Sequence, residues 1–127
     1  MENPHYQRLG GAEGIRALVD RFYDLMDSRP ELAELRAMHA RSLRVSREKL
    51  FEFLSGWTGG PGLYEEKYGH PRLRMRHMPF AIDSDIRDQW MGCMRQALAE
   101  TVTDGALRDE LERALGKVAD FMRNRPD

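Results

Sequence analysis

Between Trp57 and Ile82 the chain loses the hydrophobic periodicity that organises it elsewhere, and this gap limits the folds open to it. A small domain ordinarily joins its elements by short connections, and long irregular ones are functional or disordered. Plain disorder does not suit a segment that holds Tyr64, Tyr68, His70, His77 and Phe80. Such a segment needs an apolar surface to fold against. A flat cofactor lying on it would supply one.

On either side the pattern is helical. From Gly14 to Asp27, the residues Ile15, Leu18, Val19, Phe22, Leu25 and Met26 recur at helical spacing. Pro30 suits the first turn of a shorter helix carrying Leu32, Leu35 and Met38. After a polar, arginine-rich stretch, Leu50, Phe53, Leu54 and Trp57 mark another amphipathic helix. The run Thr58-Gly59-Gly60-Pro61-Gly62 must end it. Ile86, Trp90, Cys93, Met94, Ala97 and Leu98 make a stripe from Ser84 to about Val102. Beyond a break at Gly105 follow Leu107, Leu111, Ala114, Leu115, Val118 and Met122. No segment sustains strand alternation. The expectation is an all-α fold with two long C-terminal helices and a loop-rich middle, forming one domain over 1–127.

Within the gap, the stretch Gly69-His70-Pro71-Arg72-Leu73-Arg74-Met75-Arg76-His77-Met78-Pro79-Phe80 sets His77 behind three arginines at alternate positions and between two prolines. A neutral imidazole is a good axial ligand for haem iron, and the two propionates of an iron porphyrin call for guanidinium partners. On a helix Arg72 and Arg76 share a face and Arg74 points elsewhere. Arg76, beside His77, is the first choice for a propionate, with Arg72 or Tyr64 assisting. The plainer reading is a capping histidine among solvated arginines. His70 precedes Pro71 and so is biased to extended backbone, as a loop anchor or an edge residue. His5, near the terminus, reads as solvated. The chain has no His-Glu-x-x-His and no cysteine pair, and Pro71 keeps His70 and His77 off one helix face, so a dedicated zinc site is not expected.

The net charge of −1, with 32% charged residues, fits a soluble chain and leaves the arginine cluster a local feature, which argues against a nucleic-acid binder. Cys93 is the sole cysteine, which excludes an intramolecular disulfide and suits a reducing compartment. Without Cys-x-x-Cys-His, a haem would be held without thioether bonds. The segment MENPHYQRLGGAEG has no apolar stretch of the kind a leader needs, and no run approaches membrane-spanning length. A cytoplasmic protein is expected, away from any membrane, as a monomer or homodimer.

The sequence also resembles the truncated haemoglobins, specifically their second group, from about Tyr6 into the final helix. The residues that carry the likeness are Gly10-Gly11, Arg21-Phe22-Tyr23, Gly59-Gly60-Pro61, the segment from Gly69-His70-Pro71 through His77-Met78-Pro79-Phe80, and Trp90 thirteen places after His77. The resemblance implies a globin-like, two-over-two helical sandwich around one haem b, with His77 as the proximal iron ligand. It implies that the Tyr23 hydroxyl and the Trp90 indole donate toward a ligand on the iron. His39 would pack over the haem, although Ala40 departs from the family's usual proline and a one-residue slip would bring Met38 there instead. In this register Ser46 and Leu50 face the iron, and Phe53 joins Leu50 against the haem.

Taken alone, Tyr23 and Trp90 also read as core aromatics, and His39 as a histidine at a helix C-terminus. Met75, Met78, Met91 and Met94 read as packing against a planar surface or as core filler. A methionine as second axial ligand is disfavoured by the crowding of Tyr23 and Trp90. Two functions follow from the resemblance. One is a haem protein binding dioxygen or another diatomic ligand, as a carrier. The alternative is a haem enzyme with nitric oxide dioxygenase or peroxidase-like activity, with His39 as candidate proton donor and an external reductase as electron source. A distant third reading is a non-haem helical interaction module.

Overall fold

The structure is a computed structural model that describes residues 5–127, so the first four residues of the segment read for a leader lie outside the described residues. In chain order the helices are α1 (His5–Arg8), α2 (Gly11–Ser28), α3 (Ala33–Ala37) after a 3₁₀ turn at Pro30–Leu32, α4 (Arg44–Trp57), α5 (Leu63–Tyr68), α6 (Leu73–His77), α7 (Ser84–Thr101) and α8 (Gly105–Phe121). There is no strand among the described residues. The long helices pack as two pairs, α2 with α4 and α7 with α8, and α2 lies across α7. This is the expected two-over-two arrangement.

The apolar stripe of α2 explains the crossing. Ile15, Leu18, Val19, Phe22, Leu25 and Met26 are all buried, as are Ile86, Cys93, Met94, Ala97 and Leu98 of α7. Charge pairs surround this core. Arg47 of α4 reaches Asp20 at 3.2 Å and Asp24 at 2.7 Å on α2, while Arg21 of α2 reaches Glu100 of α7 at 2.9 Å. Arg95 of α7 reaches Glu112 of α8 at 2.6 Å. At Gly14 a Cβ would stand 1.6 Å from the Leu9 carbonyl oxygen, so the chain entering α2 needs glycine there. His5 is not simply solvated, because its Nε2 lies 3.3 Å from Glu110 on α8.

Two expectations need correction. The chain break falls at Val102–Asp104, and Gly105 is the first residue of α8, because the Asp104 carboxylate caps the helix by accepting from the Leu107 N–H at 3.1 Å. The middle is not loop throughout. It holds two short helices, α5 and α6, too brief to show a periodic stripe. The Ser55 hydroxyl donates to Pro61 O at 2.7 Å, and buried Glu52 of α4 pairs with Lys67 of α5, so this segment is pinned to α4. Gly60 lies so close to Tyr6 that a Cβ would come within 2.2 Å of its ring. The entry to α6 is strained. Arg72 is the one non-glycine with positive φ (46°) among the described residues, and its N–H donates to His70 Nδ1 at 3.0 Å.

Candidate functional site

A cavity of about 590 Å³ lies among α2, α3, α4, α6, α7 and α8. It is within the range of cofactor pockets. Tyr23, Ser46, Leu50, Phe53 and Trp90 line it, and so do Tyr64, Arg76 and His77. Met38 and His39 both contribute to its wall, so the two registers considered at that point converge on the same space. Arg72 does not reach this cavity. It lines a neighbouring groove that shares Phe53, Tyr64 and Leu73 with it. Arg74 turns away and donates to Arg123 O at 3.3 Å. His70 also stands at the groove. Met91 and Met94 are buried in the core of α7 and Met75 and Met78 are exposed, so the methionines on the cavity wall are Met38 and Met122.

On one side of the cavity, α6 presents His77. Its Nδ1 lies 2.6 Å from the Leu73 carbonyl one turn earlier. A carbonyl only accepts, so Nδ1 carries the proton and Nε2 keeps its lone pair, the form a metal ligand requires. The end of α6 is fixed from the C-terminus. Asn124 Nδ2 donates to His77 O at 3.1 Å, and Asn124 Oδ1 accepts from the Ile82 N–H at 2.9 Å. No sequence pattern marks Asn124, because it lies 47 residues from its partner.

On the other side the aromatic side chains form a connected set. Phe22, fully buried, stands edge-on to Tyr23 with centroids 5.0 Å apart and packs on Trp90 at 5.2 Å. Tyr23 in turn lies edge-on to His39 at 5.9 Å. Among the described residues no protein group accepts from the Tyr23 hydroxyl or the Trp90 indole N–H. Burial raises the Tyr23 phenol far above its ordinary value, so it stays a donor throughout the physiological range. His39 Nδ1 donates to Leu35 O at 2.9 Å, which leaves Nε2 with its lone pair. Burial pushes the His39 ring below its ordinary value, against the hydrogen bond to Leu35 O and with the Arg36 charge acting the same way as burial. At neutral pH His39 is therefore an acceptor first. It can donate only after taking a proton.

Lys49 is a wall residue the sequence reading missed, although Ser46, Lys49, Leu50 and Phe53 follow one helical face. Neither Lys49 nor Arg76 has a carboxylate partner among the described residues. The Arg76 guanidinium lies 5.8 Å from the Tyr64 ring centroid, and the Lys49 ammonium 5.4 Å from that of Tyr68. The cavity thus has apolar walls, two imidazoles that each keep Nε2 uncommitted, two uncommitted N–H or O–H donors and two uncommitted cations.

A family model for bacterial-like globins matches residues 4–124. The Group 2 truncated hemoglobin YjbI of Bacillus subtilis is 35% identical over 98% of this chain and 92% of its own length. The solved structure of a cold-adapted truncated hemoglobin from the Antarctic marine bacterium Pseudoalteromonas haloplanktis shares 47% identity with a TM-score of 0.94, covering 95% of this chain and 98% of that one. A truncated oxygen-avid haemoglobin from Bacillus subtilis superposes with a TM-score of 0.86 at 36% identity, over 94% and 98%. The chain belongs to the bacterial-like globins and, within them, to the group II truncated haemoglobins. Globins hold haem and bind small ligands on it. The donor set here fits that group: an imidazole nitrogen with a free lone pair for the iron, and Arg76 and Lys49 for its two carboxylates.

Proposed function

We propose that this protein holds one haem b through His77 and binds dioxygen or another diatomic ligand in the cavity facing Tyr23 and Trp90. The observation that carries this reading is the pair of donors on the cavity wall that no protein group satisfies, across from an imidazole whose tautomer is fixed by Leu73. A ferrous haem held there by His77 would supply a site for a diatomic ligand, and dioxygen bound to it would carry partial negative charge. Tyr23 and Trp90 stabilise that charge with donors already in place, so little reorganisation opposes it. Phe22 holds both rings and Arg47 backs Tyr23, with its guanidinium 5.9 Å from the ring. Arg76 and Lys49 orient the haem through its propionates, and the apolar walls exclude water. The oxygen-avid relative has the same overall fold.

Titration with hemin tests this. A Soret band saturating at about one haem per chain, extractable into acid acetone, is expected, and a chain that takes up no hemin overturns the reading.

One observation favours turnover over carriage. His39 brings an uncommitted nitrogen into the cavity across from His77, the other imidazole on its wall. As a base it takes a proton from a peroxide at Nε2 and returns it afterwards. Tight retention of dioxygen likewise suits oxidation of nitric oxide, with an external reductase restoring the iron. The Cys93 thiol, which donates to Phe22 O at 3.1 Å and is pushed up to about 12 by burial, stays reduced and inert, as in a cytoplasmic protein.

A further inference from the structure

We propose that the outward face of α6, together with the end of α8, is the docking surface for a small acidic electron-donor protein, an inference that rests on the haem reading above. The basis is a contrast in charge pairing. Arg16 and Arg21 of α2, Arg47 of α4, and Arg87 and Arg95 of α7 each have a carboxylate within 3.3 Å. Among the described residues Arg72, Arg74 and Arg76 have none, and neither does Lys117 of α8; Arg41 and Arg44 also lack one, which makes them a matched control. Arg76 is turned to the cavity, which leaves three cations on the outside. The chain as a whole carries a net charge of −1, so this positive face is not a general field of the protein.

Exposed apolar side chains stand on the same elements: Phe121 of α8 is 62% exposed, Met75 of α6 56% and Met78 just after α6 42%. Arg74 joins two of them, its guanidinium lying 6.0 Å from the Phe121 ring and 3.6 Å from Met78 Sδ. Arg72, Lys117 and Phe121 line one groove of about 510 Å³, whose inner wall of Phe53, Tyr64 and Leu73 is also a wall of the haem cavity. Glu65 of α5 lines the opposite wall of this groove, so the basic face is the part carried by α6 and α8. Methionine and aromatic side chains among unpaired arginines form an adaptable, electropositive interface suited to an acidic partner.

The location selects the kind of partner. The helix that carries His77 carries this face, so a donor seated here lies beside the iron's ligand. Cys93, the sole cysteine, is buried and cannot relay electrons from the surface. The step is a one-electron transfer in which the reduced flavin of the donor is oxidised and ferric haem becomes ferrous, with no bond formed or broken.

The test is stopped-flow reduction of the hemin-loaded protein by reduced flavodoxin, an acidic flavoprotein, with carbon monoxide present to report ferrous haem. The second-order rate should fall about tenfold or more as salt is raised from low to above-physiological strength. Arg72→Glu/Arg74→Glu should lower the low-salt rate by a similar factor. The control Arg41→Glu/Arg44→Glu, an equal charge change on exposed residues just before and at the start of α4, should keep the parent rate. Reduction by photoreduced lumiflavin, which is small and uncharged, should be the same for all three proteins. Equal flavodoxin rates in all three, or equal losses in both variants, overturn the docking face while leaving the haem reading intact. No uptake of hemin overturns both. Binding to phosphatidylserine vesicles that the Arg72→Glu/Arg74→Glu change abolishes, with flavodoxin rates unchanged, would assign the face to a lipid surface instead.

Discussion

The two walls of the cavity are built on different principles. On the Tyr23 and Trp90 side, long helices cross, the core between them is closed, and Arg16, Arg21, Arg47 and Arg87 are matched with carboxylates. Phe22 in the middle touches both functional rings. On the His77 side the helices are one or two turns long, a left-handed arginine starts α6, and its arginines are unmatched. Helices this short have little stability of their own, so His77 depends on a distant anchor, Asn124. Under the proposed function the donors that meet the ligand sit on the first wall, where preorganisation counts, and the iron's imidazole sits on the second, which the haem would complete.

The sharpest challenge to this contrast is His77→Ala. Removing a direct ligand should lower haem retention by more than the roughly 10–100-fold that loss of an outer partner costs a metal site. Soret absorbance after gel filtration reads this. His70→Ala should retain the haem, since His70 is exposed and bonds only to the Arg72 N–H. Equal loss in both would mean that the segment as a whole holds the haem, without a dedicated ligand.

His39→Phe should slow the reaction of the ferric protein with peroxide by about a hundredfold, the scale of one acid–base group. The sign of its pH dependence follows from burial, which places the ring's pKa below the ordinary 6.5. The neutral form is the base, so the rate is full at neutral pH and is lost as pH falls through an ionisation below that value. A parent-like rate and profile in the variant would leave His39 a packing residue and favour the carrier.

Trp90→Phe and Tyr23→Phe probe the first wall with smaller effects. A hydrogen bond to a partly charged ligand contributes roughly 1.5–3 kcal/mol, so each change should speed dioxygen release about ten- to a hundredfold in stopped flow. Circular dichroism should stay at the parent value, because the rings remain packed on Phe22. If release is unchanged in both variants, the first wall is core and nothing more.

The helices were legible because burial on one face leaves a 3.6-residue stripe, and Ile15 to Met26 or Leu107 to Met122 show it plainly. His77, Tyr23 and Trp90 were legible through a motif whose order and spacing are hard to meet by chance. Lys49 was within reach, one turn from both Ser46 and Phe53, and was passed over because a lysine on a helix is usually solvated. Arg72 was placed at the haem by helical spacing from Arg76. Its positive φ at the start of α6 sends it to the groove instead, and the sequence does not show that turn.

Residues near one another in the chain thus determined the element types and the all-α class, and marked His77 as the candidate imidazole. Only tertiary structure decided which way the side chains meet across the cavity. Asn124 reaches His77 over 47 residues, and Arg47 holds α4 against α2. Tyr23 keeps its hydroxyl free because none of the described residues brings it a hydrogen-bond acceptor. The unmatched arginines of α6 appear only when every carboxylate has been placed in space. The physical reason is range. Helix propensity and periodicity act over four residues, whereas hydrogen-bond partners, burial and the pKa of His39 depend on what other helices bring within a few ångströms.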